Sequence, residues 1–278
     1  MLKMKNVEEY QKIGRELIEK LKINTYPIAI KLIEEGEEVS SNALHPLEVF
    51  GREIPACLSY TWCRRSGFSF FLTGKDIACK PISIHHFGFE KVKDPEIVFE
   101  AWEKKAGYKK NKNAEISSRE SDATLNFGEF KGLVISPLNR SIIIPDLVLI
   151  YCTPLILSHL ILSATYNGDT IKSYFNGMES SCKEGVVRTF RTDQCQVVSP
   201  GMGDRVLAGV QDHEMIFSIP ESKLNEVNGN LFLAGNKINP PPFGIPHLNA
   251  SLGPLDIFGS PNEPGVWPYL RKRIQKDN

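Results

Sequence analysis

The chain has no charge of one sign to spare: across 278 residues, 33 lysines and arginines balance 33 aspartates and glutamates. Without a positive excess there is no long-range attraction of the kind non-specific nucleic-acid binders use, so nucleic acid is not an expected partner. There is no G-x-S-x-G, H-E-x-x-H or kinase-like set, which leaves hydrolase, metalloprotease and kinase chemistry without local support. Short-period repeats are absent, which excludes a solenoid. Long apolar runs are scarce. The one passage that could imitate a membrane span, Leu147 to Ala164, is divided by Pro154. Its first half is rich in strand formers and its second reads as a helix ending near Asn167-Gly168, so a buried strand running into a buried helix is expected, with no membrane partner.

What is present is a core-forming composition: 41% apolar and 24% charged residues, enough burial to offset chain ordering. Residues 1–25 open on a charged amphipathic helix with Val7, Tyr10, Ile13, Leu17, Ile18 and Leu21 at helical spacing, not the pattern of a secretory signal. A cytoplasmic location is the expectation. Strands are expected at Tyr26 to Ile33, Phe68 to Leu72, Ile77 to Ile84, Gly132 to Ser136, Asp146 to Tyr151, Gln196 to Ser199 and Glu214 to Ile219. Helices are expected over Ile54 to Arg65, Pro95 to Lys105, Pro154 to Tyr166, around Cys182 and from Pro220. The run Lys104, Lys105, Lys109, Lys110 and Lys112 reads as a solvated helix end and loop, with a binding patch as the alternative.

These elements imply an α+β or mixed α/β fold. The globular part, 26–228, is expected to be one domain on a mainly buried sheet, with room for two pseudo-related halves. Residues 229–278 change character, with eight prolines from Pro240 to Pro268. That composition predicts an extended arm whose apolar residues, Trp267 among them, dock on the core or across a homo-oligomer.

Six cysteines, at 57, 63, 79, 152, 182 and 195, carry the chemistry. Cytosolic thiols are more often metal ligands, catalytic groups or core residues than disulfides. None of their spacings is the C-x2-C of zinc knuckles or bacterial ferredoxins, so spacing alone does not choose among these roles. Cys152 ends an apolar strand and reads as an inert core thiol.

The segments YPIAIKL, PDLVLIYCTPLILSHLILSATYNG, SSCKEGVV and GMGDRVLAGVQDHEMIFSIP, with the separated Cys57 and Cys79, resemble the uncharacterised archaeal-conserved-region family, domain of unknown function 169. The likeness runs from about Tyr26 to Leu224. It implies a cytoplasmic protein of anaerobes with recurring cysteines at the positions of Cys57, Cys79 and Cys182.

With Cys195, these make the four soft ligands that a four-iron, four-sulfur cluster requires, and Cys63 is the substitute for Cys195. Zinc in a four-cysteine site is the competing metal. The block Gly201-Met202-Gly203-Asp204-Arg205 lacks the third glycine of the dinucleotide fingerprint and reads as a tight turn between strands. Gly201, Gly203, Asp204 and Arg205 are nevertheless candidates for a pocket wall, Arg205 as a two-bond partner for a carboxylate. His85 and His86 are expected on opposite faces of a continuing strand in a solvent or core-edge role, with a mixed cysteine–histidine site as the geometrically open alternative. The functional expectation is an iron–sulfur protein of anaerobic metabolism. Such a cluster serves either electron transfer, with a redox partner protein, or small-substrate chemistry at an open iron. The alternative is a metal-free or zinc-stapled ligand-binding or scaffold subunit.

Overall fold

Asn6 starts the first helix, α1 (Val7–Leu21), by accepting the Glu9 N–H at 3.0 Å, and Lys22 stops it in the left-handed conformation. In the computed structural model, residues 6–231, 233 and 234 are described. Strand β1 (Ile28–Ile33) follows, then the short α2 (Pro46–Phe50), α3 (Ala56–Ser66) and β2 (Phe70–Leu72). A first π-helix (Pro81–His86) precedes α4 (Pro95–Ala106) and α5 (Lys112–Arg119). Then come β3 (Gly132–Pro137), β4 (Leu147–Cys152) and α6 (Pro154–Ala164). A second π-helix (Ser181–Arg188) runs straight into α7 (Thr189–Thr192). The last elements are β5 (Gln196–Val198), α8 (Met202–Ala208), β6 (Met215–Pro220) and α9 (Glu221–Asn230).

The fold is mixed α/β on one six-stranded sheet of order β2-β3-β1-β4-β6-β5, every neighbouring pair antiparallel. Helices cover both faces, so the strands are apolar on both sides instead of alternating with polar residues. Along β4, Leu147, Leu149 and Tyr151 enter one core while Val148, Ile150 and Cys152 enter the other. The first core joins the sheet to α3, both π-helices and α8; the second joins it to α1, α6 and α9. Helix α1 packs closely on the turn after β3 at Gly14, where a Cβ would stand 2.4 Å from the Asn139 backbone nitrogen. The passage Leu147 to Ala164 is the expected strand and helix, and among the described residues no helix is long and apolar enough to cross a membrane.

Two local expectations are corrected. Ile77 to Ile84 is not a strand: Ile77 makes only an isolated bridge to Ile54, and Pro81 opens the first π-helix. Proline has no N–H to give a ladder but fits the first turn of a helix, and this outweighs the β-branched isoleucines. The glycine block is likewise not a tight turn. Gly201 precedes α8, Asp204 in its first turn accepts the Gly201 N–H at 2.8 Å, and Gly209 closes it at φ +62°. The expected proline-rich arm lies outside the described residues from 235 onward.

Candidate functional site

Three cysteines from three separate segments line one cavity of about 200 Å³ on the α3 side of the sheet. Cys57 is the second residue of α3 and Cys182 the second residue of the second π-helix. Cys79 stands just ahead of the first π-helix, its carbonyl accepting the Ile82 N–H at 3.0 Å. Each thiol therefore sits where a helical segment begins and the first backbone N–H groups have no partner within the helix. Both π-helices carry wider backbone turns, of which the Phe87 N–H to Ile82 carbonyl bond (2.8 Å) is one, and such turns recur at functional sites.

Asp204 joins the three thiols at the cavity wall. Its carboxylate accepts from the Gly201 N–H and the Ser181 N–H, the latter at 3.4 Å, and from the Ser181 hydroxyl. These bonds tie α8 to the second π-helix and commit both carboxylate oxygens. The Cys182 sulfur lies 3.5 Å from the Tyr60 hydroxyl, and the Cys57 thiol faces the Gly203 carbonyl at 3.9 Å. Burial pushes the Cys57 and Cys182 thiols well up and Cys79 to about 11, and each is raised further by nearby acidic groups. Cys57 feels Asp204, Cys182 and Cys79; Cys182 feels Asp204 and Cys79. The cavity thus gathers three soft donors that repel one another as anions and that a bound cationic centre would hold deprotonated.

Behind this wall lies a buried ionic lattice. Glu179, which also lines the cavity, takes φ +52° just before the second π-helix. Its carboxylate bonds to Arg119 and, at 2.6 Å, to His86 Nε2. Arg119 also reaches Glu115 at 2.5 Å, and the fully buried Lys183 holds Asp122 at 2.6 Å. Burial raises the Glu179 carboxyl, but His86 and Arg119 more than offset this and hold it at about 2. Among the described residues, His85, His86 and Asp122 form the group of three whose ligand atoms lie within 4.8 Å of one another. A metal there is disfavoured, because the Arg119 guanidinium stands 3.2 Å from His86 Nε2 and 3.4 Å from Asp122, a fixed positive charge against the site.

Of the expected ligands, Cys57, Cys79 and Cys182 come together and Cys195 does not. Cys195 leads into β5 on the opposite face of the sheet, buried in the second core with Cys152. Burial there raises both thiols to about 12, as expected for inert core sulfurs. Cys63, the expected substitute, is fully buried in the last turn of α3, about 9 Å of helix rise beyond Cys57, and does not line the cavity. Gly203 and Asp204 belong to the cavity wall, and Gly201 supports it through Asp204. Arg205 turns away, its Nη1 donating to the Gln211 carbonyl at 2.6 Å. His85 and His86 occupy adjacent positions at the end of the π-helix, ring centroids 4.9 Å apart, instead of opposite faces of a strand.

Trp102, Lys105 and Tyr108, from α4 and the turn after it, complete the cavity and were not singled out from the sequence as site residues. Lys105 stood in the lysine run read as a solvated helix end, and no local signal separates it from its neighbours. Glu179 gave no signal either, since its role depends on partners 60 to 93 residues away.

No curated protein and no solved structure matches the chain. A family model, described as uncharacterised ArCR, matches residues 16–230, from within α1 to the end of α9. That span includes all four segments from which the resemblance was read and every residue of the cavity wall. The chain therefore belongs to the uncharacterised ArCR family, domain of unknown function 169.

Proposed function

We propose that the chain is an iron–sulfur protein whose cluster is held by Cys57, Cys79 and Cys182 and works on a small substrate at an iron without a protein ligand. The observation that carries this reading is the convergence of three thiols from three distant segments on one cavity. Buried structural cysteines have no reason to share a void, and Cys63, Cys152 and Cys195 do not line this one.

The spread of the sulfurs favours a cluster over zinc. Two sulfurs bound to one zinc ion, each about 2.3 Å from it, stand at most about 4.6 Å apart. The three cysteines do not form a group within 4.8 Å, whereas a cubane distributes its ligands over separate corners. Asp204 is a poor fourth ligand because its oxygens are already engaged by Gly201 and Ser181. A cubane with three cysteine ligands keeps one iron free as a Lewis acid, which favours substrate chemistry over pure electron transfer. Electrons would come from a redox partner protein. This chain's own contribution is to hold the sulfurs, to limit water on the side of the buried Ile82, and to fix α8 against the second π-helix through Asp204.

The test is iron, zinc and acid-labile sulfide per chain in protein purified without oxygen, with its visible absorption. About four irons and four sulfides with a broad band near 400 nm are the expected outcome. Stoichiometric zinc, or no metal after reconstitution, would overturn the reading.

A further inference from the structure

The cavity thiols differ in what the protein offers their sulfurs. The Cys57 thiol faces the Gly203 carbonyl at 3.9 Å, an acceptor with no proton to give a thiolate. Cys182 instead meets hydroxyls. Ser181 Oγ stands 3.9 Å from its sulfur, but the single Ser181 proton goes to Asp204, so none is left for Cys182. The Tyr60 hydroxyl, 3.5 Å away, makes no other hydrogen bond among the described residues. A phenol is a better proton donor than a thiol, and once Cys182 is a thiolate only Tyr60 of the pair has a proton to donate. The bond is then charge-assisted and roughly twice as strong as a neutral one. Tyr60 is fully buried, so water does not compete for its proton. It lies one turn after Cys57 on α3, so this helix reaches two of the sulfurs: Cys57 as its own residue, and Cys182 on the second π-helix through Tyr60.

We propose that Tyr60 is a positioning residue for the cluster: its hydroxyl donates to the Cys182 sulfur, fixes that sulfur in place and raises the reduction potential. Reduction adds negative charge to a cluster and its sulfurs, and a donor stabilises the more charged state, which is how hydrogen bonds to sulfur set cluster potentials. The assignment rests on the reading of this cavity as a cluster site. It makes the three ligands unequal, with Cys182 the sulfur whose charge a buried donor offsets.

The experiment compares the full chain with Tyr60→Phe, which keeps the ring and removes only the hydroxyl. In cluster-bearing protein, a redox titration followed by visible absorption is expected to show Tyr60→Phe losing about tenfold in preference for the reduced state, a midpoint lower by about 59 mV for one electron, with iron and sulfide content retained. Tyr10→Phe is the control for a merely structural loss, since it removes a buried hydroxyl bonded to Glu221 in the second core, and it is expected to leave the midpoint where it was. In iron-free protein carrying labelled tyrosine, the Tyr60 hydroxyl proton is expected as a slowly exchanging magnetic-resonance signal that is absent in Tyr60→Phe and moves in Cys182→Ala. An unmoved midpoint in Tyr60→Phe, an equal shift in Tyr10→Phe, or a Tyr60 signal indifferent to Cys182→Ala would overturn the assignment. The two readings fail separately. A protein that shows the bond from Tyr60 to Cys182 but never takes up a cluster would sink the cluster reading, whereas a cluster whose midpoint ignores Tyr60→Phe would sink the positioning role alone.

Discussion

Arg64 shows how single residues here are fixed by partners far away in sequence. Its side chain is fully buried, yet it is a cation, and it is tolerated because Glu214 meets it with two bonds of 2.5 and 2.8 Å while the Tyr151 ring lies 4.2 Å from its guanidinium carbon. The next residue, Arg65, is about two-fifths exposed and stands 3.6 Å from the same carboxylate. Removing a buried cation leaves its partner carboxylate uncompensated, whereas an exposed one is screened by solvent. Arg64→Ala is therefore expected to lower the unfolding free energy by roughly 3 kcal/mol, and Arg65→Ala by less than about 1 kcal/mol. Urea denaturation of the two variants checks this, and equal losses would contradict it. The same contrast separates the cysteines. Cys182 and Cys195 are both buried and both raised by burial, but only Cys182 opens onto a cavity shared with two other thiols.

At the scale of elements, what the sequence made legible was whatever local rules control. Helix α4 begins at Pro95 with Asp94 capping, and α6 begins at Pro154 with Thr153 capping, both foreseen to within a residue at their starts. The inner strands were legible because a sheet covered on both faces writes itself as unbroken apolar runs. The π-helices were not. A π-helix shares its residue preferences with neighbouring structure, so Ile77 to Ile84 looked like a strand until Pro81 was weighed as a helix opener instead of a strand member. The error carried into the site, because the histidines were placed two-sided on that strand. Helix α5 was missed altogether, its lysine and serine content carrying too weak an apolar period. Cys195 stands apart from the cavity for another reason: which side of a sheet a residue faces depends on register with β6, which no local spacing encodes. Cys57, Cys79 and Cys182, grouped through family likeness, line one common cavity.

At the scale of the whole molecule, the two helical layers have different work. The α1, α6 and α9 side is a packed apolar core, while the α3 and π-helix side combines a core with the cavity and the ionic lattice. That lattice ties acid stability to the site. Glu179 is held at about 2, below the ordinary value of 4.5 for a glutamate, and Asp122 is depressed as well. A depressed carboxyl contributes stability that is complete above its unfolded value and is lost as pH falls through its folded value. Asp204 and Asp146, both raised by burial, act in the opposite sense, but they are outnumbered by depressed carboxyls, Glu37, Glu129 and Glu214 among them. The unfolding free energy is expected to decline as pH falls from about 4.5 toward 2, with Glu179→Gln less stable near neutrality and flatter across that window. Denaturation midpoints against pH read this directly; a parallel acid limb in the variant would contradict it.

The most direct test of the central claim is the iron and acid-labile sulfide content of the six single cysteine-to-serine variants, each purified and reconstituted without oxygen and each checked for folding by circular dichroism. The expected result is a clean division: Cys57→Ser, Cys79→Ser and Cys182→Ser fold but lose most of their iron and sulfide, while Cys63→Ser, Cys152→Ser and Cys195→Ser keep theirs. Full metal content in any of the first three, or its loss in folded Cys195→Ser, would contradict a cluster held by these three cysteines.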